Sequence, residues 1–284
     1  MTELYDLSDV KPFGALVQPR FEKCSVRDLP VEELRELARR HHLVVLRGFS
    51  TFSSDTNGAD AFAEYCACWG EVSVWPFGKV LELVEQENPA DHIFDNNYVP
   101  LHWDGMYRPQ VPEFQIFHCV SAPRGEQGGR TTFSNTVIAL ERVAPGIRTL
   151  WDNVTGEYHR KMEFYDSKTI APVITSHPVT GFPVIRYNEP PHKGDDSFLN
   201  HPTLTFHGVA DGETAEFHRG LREALYSPEC FYAHAWHTGD IVISDNYTLL
   251  HGREAFTSGA PRHLRRVHVL GQPALDNPHL VSHS

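Results

Sequence analysis

The sequence predicts a mainly β fold with flanking α-helices, a distorted double-stranded β-helix of the jelly-roll, cupin-like kind. Three observations lead there. Short runs of strand character recur along the chain at Leu43 to Leu46, Phe114 to Val120, Arg130 to Ser134, Phe231 to Trp236 and Gly239 to Asn246. Only a few stretches carry the helical period. The 284 residues hold no internal repeat, low-complexity tract or linker, so residues 1–284 read as one domain of the size that large β barrels reach.

The chain begins with an irregular or edge-strand lead-in over residues 1–27, marked by Pro12, Pro19 and scattered charge. A helix is expected from Asp28-Leu29-Pro30, where Asp caps and Pro suits a first helical position, through Leu34, Leu37 and Ala38 to about His42. Leu43 to Leu46 then reads as a short buried strand. The spacing of Phe62, Tyr65, Cys66 and Trp69 predicts a second helix over 56–70, with Cys66 as core because no base accompanies it. Residues 73–86 are strand-like, bent by Pro76 and Gly78, and a polar loop leads on to Pro100.

Residues 138–205 carry the least signal. Short helical pieces are expected at Ile138 to Val143 and Leu150 to Val154, a polar and aromatic stretch from Tyr158 to Pro172, and a surface turn from Pro190 to Asp196. Phe164, Tyr165 and Tyr187 read as pocket lining or, more simply, as core. Phe217, Leu221 and Leu225 recur every fourth residue and predict a helix over 213–226. Two strands then lead to His251, and the tail after Gln272 reads as a surface-wrapped end.

A formal net charge of -12 argues against a nucleic-acid partner or an anionic membrane surface, both of which need a basic patch. Five cysteines without zinc-ligand spacing fit reduced thiols in a cytoplasm. The first residues have neither a basic head nor an apolar core, as a signal peptide would, and no apolar run approaches the roughly 18 residues of a spanning helix. The expected protein is cytoplasmic with no membrane partner, and homo-oligomerisation stays open.

The chemistry concentrates at Leu101-His102-Trp103-Asp104-Gly105-Met106. Among 18 histidines, His102 alone has a carboxylate two positions on. In a strand, residues i and i+2 point the same way, so His102 and Asp104 can aim into a barrel while Trp103 points outward. A distant histidine, His251, would complete two imidazoles and a carboxylate on one face of a metal, an arrangement that leaves the opposite positions open and suits ferrous iron. Arg262 and Arg266 follow His251 by eleven and fifteen residues. On a strand they share a face with Leu264, and a fixed guanidinium grips a carboxylate bidentately. Arg265, on the other face, reads as a solvated strand arginine, and His118 as a hydrogen-bonded strand histidine.

The set His102-x-Asp104, Gly128-Gly129-Arg130-Thr131, and His251 with Arg262 eleven positions later resembles the TauD/TfdA-type Fe(II)/2-oxoglutarate-dependent dioxygenases, from about Leu43 to Leu270. The runs Trp75-Pro76-Phe77-Gly78, Asn96-Asn97-Tyr98-Val99-Pro100-Leu101-His102-Trp103-Asp104-Gly105-Met106-Tyr107 and Leu250-His251-Gly252-Arg253-Glu254-Ala255-Phe256 are similar to the PvcB-type branch, which acts after an isonitrile synthase. The resemblance implies Fe(2+) on His102, Asp104 and His251, and 2-oxoglutarate on Thr131 and Arg262, with O2 as the other co-substrate. It further implies Arg266 at an acidic group of the substrate. The implied reaction takes a small-molecule isonitrile derived from tyrosine, or in relatives tryptophan, to an alkene, with or without loss of CO2. Asn97 and Tyr98, in the loop before the metal motif, are substrate-contact candidates. A hydroxylase of another small carboxylic acid, a zinc hydrolase and a jelly-roll binding module remain as alternatives.

Overall fold

The structure, a computed structural model, describes residues 4–162, 165–191, 199–210 and 212–283. Its centre is a jelly roll of two facing sheets. The larger has seven strands in the order Tyr5–Asp9, Ala15–Pro19, Leu43–Leu46, Ile241–Asp245, Gln110–Ser121, His263–Asp276 and Leu81–Val84. The smaller has four, in the order Phe231–His234, Thr131–Asn135, Leu249–Arg253 and Val99–His102. Ala15–Pro19 runs parallel to Leu43–Leu46, while the other pairings in these two sheets are antiparallel.

Alternation along the strands sorts side chains into layers. Leu43, Val45, Phe117, Cys119, Val242 and Leu264 of the larger sheet meet Phe133 and Leu249 of the smaller, filling the space between the sheets. The intervening Val44, Leu46, Ile116, Ile243 and Val267 point the other way, onto helices Val31–His41 and Thr56–Ala67. Leu43–Leu46 is apolar at every position because both of its faces are covered. The outer face of the smaller sheet, with Leu101 and Leu250, packs on Ala139, Leu140, Leu221 and Leu225 of helices Thr136–Arg142 and Thr214–Leu225.

Several expectations change. Helix Val31–His41 has Pro30 at its N-cap with no side-chain cap, and Asp28 instead accepts from the Ser25 amide in a preceding 3-10 turn. Only Leu81–Val84 of the segment 73–86 is a strand, and Trp75 to Gly78 closes a tight turn. Tyr158 to Pro172 belongs to an antiparallel hairpin, Thr155–Met162 with Tyr165–Pro172, in a further sheet flanked by Thr203–His207 and Leu280–His283. The tail is therefore strand on both sides of Pro278. Its backbone hydrogen bonds close onto neighbouring strands, which a surface wrap would leave to water.

Arg265 is the largest departure. It is 1% exposed, pairs with Glu82 at 3.0 Å and donates to the carbonyls of Ser53, Ser54 and Asp55. The face opposite Arg262 is covered by the segment leading into helix Thr56–Ala67, so its guanidinium serves as a buried staple. Tyr187 is core beside Phe206 and His218. Phe164, the Tyr165 side chain and most of the 190–196 turn lie outside the described residues.

Candidate active site

The sheets bring the sequence candidates together at one end of the barrel. His251 sits opposite His102 in the ladder between Leu249–Arg253 and Val99–His102, which puts the two ring centroids 4.2 Å apart. Asp104 lies just beyond the strand, in a turn, so the i, i+2 alternation of an extended strand does not aim it. Asn246 does. Its amide accepts from the Asp104 N–H at 3.0 Å and donates to the Asp104 and Pro112 carbonyls at 2.9 Å each. Gly105 makes that turn with φ near 93°, and a Cβ there would stand 2.5 Å from Pro112 Cδ, so only glycine fits without strain. Trp103 points away from His102 and Asp104 as expected, but it is buried beneath the flanking elements.

One ligand atom from each of His102, Asp104 and His251 lies within 4.8 Å of the others. His102 Nδ1 is 2.8 Å from the Pro100 carbonyl, a bond that holds the proton on Nδ1 and leaves the Nε2 lone pair facing Asp104 at 3.8 Å. Burial, followed by the neighbouring His102, holds the His251 ring well below its ordinary pKa, and burial likewise lowers His102. Neutral imidazoles are the form that binds a metal. Burial pushes the Asp104 carboxyl up, but Arg266, His251 and His268 outweigh it and hold the group well below the usual carboxylate range. Two imidazoles and an ionised carboxylate at this separation fit a divalent transition metal.

Asp104 Oδ2 receives three donors from the larger sheet: Gln115 Nε2 at 2.6 Å, His268 Nε2 at 2.8 Å and Arg266 Nη1 at 2.8 Å. Gln115 is itself fixed, since Ser244 donates to its Oε1 at 3.1 Å. Sequence reasoning passed over Gln115, His268 and Asn246. Two of them carried a signal: Gln115 is a polar residue inside an apolar strand, and His268 continues the 262, 264, 266 face by one more step.

A cavity of about 410 Å³ of empty space, partly open to solvent, is lined by His102, Thr131, His251, Arg262 and Arg266 among others. Arg262 is 5% exposed and has no acidic partner among the described residues. Its Nε donates to the Gly129 carbonyl at 2.9 Å, and burial pushes its pKa down to about 9. Gly129 leaves the room for that side chain, because a Cβ there would come 2.8 Å from Arg262 Cδ. Thr131 Oγ1 accepts from Trp236 Nε1 at 3.0 Å, so its own hydroxyl proton is free to donate elsewhere. Asn97 and Tyr98 do not line this cavity. Asn97 closes a turn on Asp95, while its carbonyl accepts from the buried Arg253, which also holds the carbonyls of His92 and Ile93.

A jelly roll carrying two imidazoles and a carboxylate at this separation, with a buried guanidinium beside them that has no acidic partner among the described residues, has the features of an iron-dependent oxygenase. The chain belongs to the taurine catabolism dioxygenase TauD, TfdA family, whose model matches residues 8–268. It is 52% identical over 268 residues, 94% of this chain and 91% of the relative, to a tyrosine isonitrile desaturase of Pseudomonas aeruginosa. It is 36% identical over 267 residues, 94% and 96% of the two chains, to a 3-((Z)-2-isocyanoethenyl)-1H-indole synthase of Fischerella ambigua. Its fold is similar, at a TM-score of 0.84 and 47% identity over 98% of this chain and 96% of the other, to PvcB, an Fe, alpha-ketoglutarate dependent oxygenase from an isonitrile synthetic pathway. Among the described residues, no helix is long and apolar enough to cross a membrane.

Proposed function

We infer that this protein is an Fe(II)- and 2-oxoglutarate-dependent oxygenase that desaturates an amino-acid-derived isonitrile, tyrosine isonitrile first, supplied by an upstream isonitrile synthase. Residues 1–284 act as one catalytic domain in this reading. The observation that carries the co-substrate is the buried Arg262 guanidinium, which has no carboxylate partner among the described residues. A cation held dry at a cost of several kcal/mol calls for an anion in the working complex. The isonitrile substrate rests on the 52% identical desaturase and the PvcB fold.

His102, Asp104 and His251 would hold the iron, and Gln115, His268 and Arg266 all contact Asp104 Oδ2. Arg262 and the Thr131 hydroxyl would bind the far carboxylate of 2-oxoglutarate. Arg266, which lines the cavity beside His102 and His251, would take the substrate's carboxylate. Iron with 2-oxoglutarate and O2 supplies the two-electron oxidation: substrate, 2-oxoglutarate and O2 give alkene, succinate, CO2 and water. The chain's own part is to fix ligands and both acids so that the side-chain hydrogens face the metal.

Anaerobically purified protein given Fe(II), 2-oxoglutarate, air and tyrosine isonitrile should form succinate and a product lighter by two hydrogens, or by the elements of formic acid if CO2 also leaves the substrate. A product heavier by one oxygen identifies a hydroxylase instead. No succinate with either the tyrosine- or the tryptophan-derived isonitrile overturns the reading.

A further inference from the structure

Strand Val99–His102 ends in a candidate metal ligand and lies at the border of the smaller sheet, with Leu249–Arg253 as its one strand neighbour among the described residues. Its far edge presents N–H and C=O groups to something other than a strand, and buried backbone groups need partners. At Leu101, which is fully buried, both go to a single residue. The Leu101 N–H donates to Glu189 Oε2 at 3.1 Å, and the Leu101 carbonyl accepts from the Glu189 N–H at 2.9 Å. Glu189 is 1% exposed, and the same Oε2 accepts from the hydroxyl of Tyr226, the C-cap of helix Thr214–Leu225, at 2.7 Å.

These contacts act on the two peptide units around Leu101. A peptide unit is planar, so fixing its N–H fixes the direction of its C=O. The unit that joins Pro100 to Leu101 gives its N–H to Glu189 and its carbonyl to the His102 ring, whose Nδ1 stands 2.8 Å away. The next unit gives its carbonyl to Glu189 and carries the His102 backbone nitrogen. Carboxyl, peptide and imidazole thus stand in series, and hydrogen bonds in series polarise one another. Residue spacing does not announce the link, because 88 positions separate Leu101 from Glu189.

We propose that Glu189 is a positioning residue for the metal centre: by holding the peptide units on both sides of Leu101, it keeps the Pro100 carbonyl on His102 Nδ1 and the other ring nitrogen turned toward Asp104. This role rests on the reading of His102 as a metal ligand, and on neither the co-substrate nor the isonitrile. A glutamate that only packs would support strand and helix without setting the ring.

The test titrates the full-length, metal-stripped protein with Mn(II) and reads the free ion by electron paramagnetic resonance. Glu189→Met removes the acceptor, Glu189→Asp withdraws it by one methylene, and Glu189→Gln keeps an oxygen at the same reach. Glu189→Met and Glu189→Asp should bind one ion about 10- to 100-fold more weakly, the loss typical of a group behind a metal ligand, while Glu189→Gln stays within about threefold of the unaltered protein. Hydrogen exchange of the Leu101 amide should quicken in the first two and not in the third. If Glu189→Met fails to fold, the contrast between Glu189→Asp and Glu189→Gln still decides. Unchanged affinity in Glu189→Asp, even with a lowered Tm, is the packing result and overturns the role, as does a Glu189→Gln protein that binds as weakly as Glu189→Asp. An unaltered protein that takes up no ion would instead remove the metal reading itself.

Discussion

The two sheets of the barrel contribute different chemistry to one site. The smaller sheet and the turn beyond it carry all three metal-ligand candidates and Thr131, while the larger sheet and the residue just before its strand His263–Asp276 carry Gln115, Arg262, Arg266 and His268. One side offers lone pairs and the other offers N–H donors. Asp104 is where they meet, with Oδ2 taking three donors from the larger sheet. The difference teaches that the site is a property of the interface between sheets, and that ligands and their supports should fail in separable ways.

The smaller sheet should give the largest effect. His102→Ala, Asp104→Ala or His251→Ala is expected to lower turnover at least about 1,000-fold, on the scale of a missing catalytic group, and to abolish one-to-one metal binding. Full activity in any of the three would remove the proposed centre. On the larger sheet, Arg262→Met should raise KM for 2-oxoglutarate about 100-fold, as for truncation of a buried charge partner. The same change should leave the ligand-free protein at least as stable as before, because an unpaired buried cation is lost. A KM within about threefold of the starting protein would contradict the assignment.

Gln115→Leu and His268→Phe sharpen the contrast further. Each removes a donor to Asp104 Oδ2 without touching a ligand, and each should weaken metal binding about 10- to 100-fold in a direct titration while leaving the metal count at one. Unchanged affinity would make these residues packing alone. The smallest effect concerns the strand face turned away from the site. Burial, with Arg265 next, pushes the His118 pKa down to about 4 from 6.5. The unfolded chain therefore takes up a proton first, so the native advantage is complete above about pH 6.5 and is lost as pH falls toward 4, a change on the order of 2–3 kcal/mol. His118→Gln should flatten that part of a stability-against-pH curve while leaving metal affinity as it was.

Periodicity alone located most of the elements. It placed the helices around Leu34, Phe62 and Phe217, and it put Arg262, Leu264 and Arg266 on one face, because side-chain direction in a helix or strand follows from backbone geometry. It did not say what covers a face. Arg265 read as solvated and is a buried staple, Trp103 pointed outward into another core, and the tail pairs as strands.

What the sequence determined by itself was the inventory of the site: a histidine and an aspartate two apart, a distant histidine, and two arginines four apart, each a donor type suited to iron or to a carboxylate. What tertiary structure decided was their convergence and support. Asp104 is aimed by Asn246, 142 positions later, and Gln115 reaches it from the opposite sheet. Those contacts depend on strand register and sheet packing, which are fixed by the burial of many side chains at once, whereas a residue's chemistry is fixed by its own atoms.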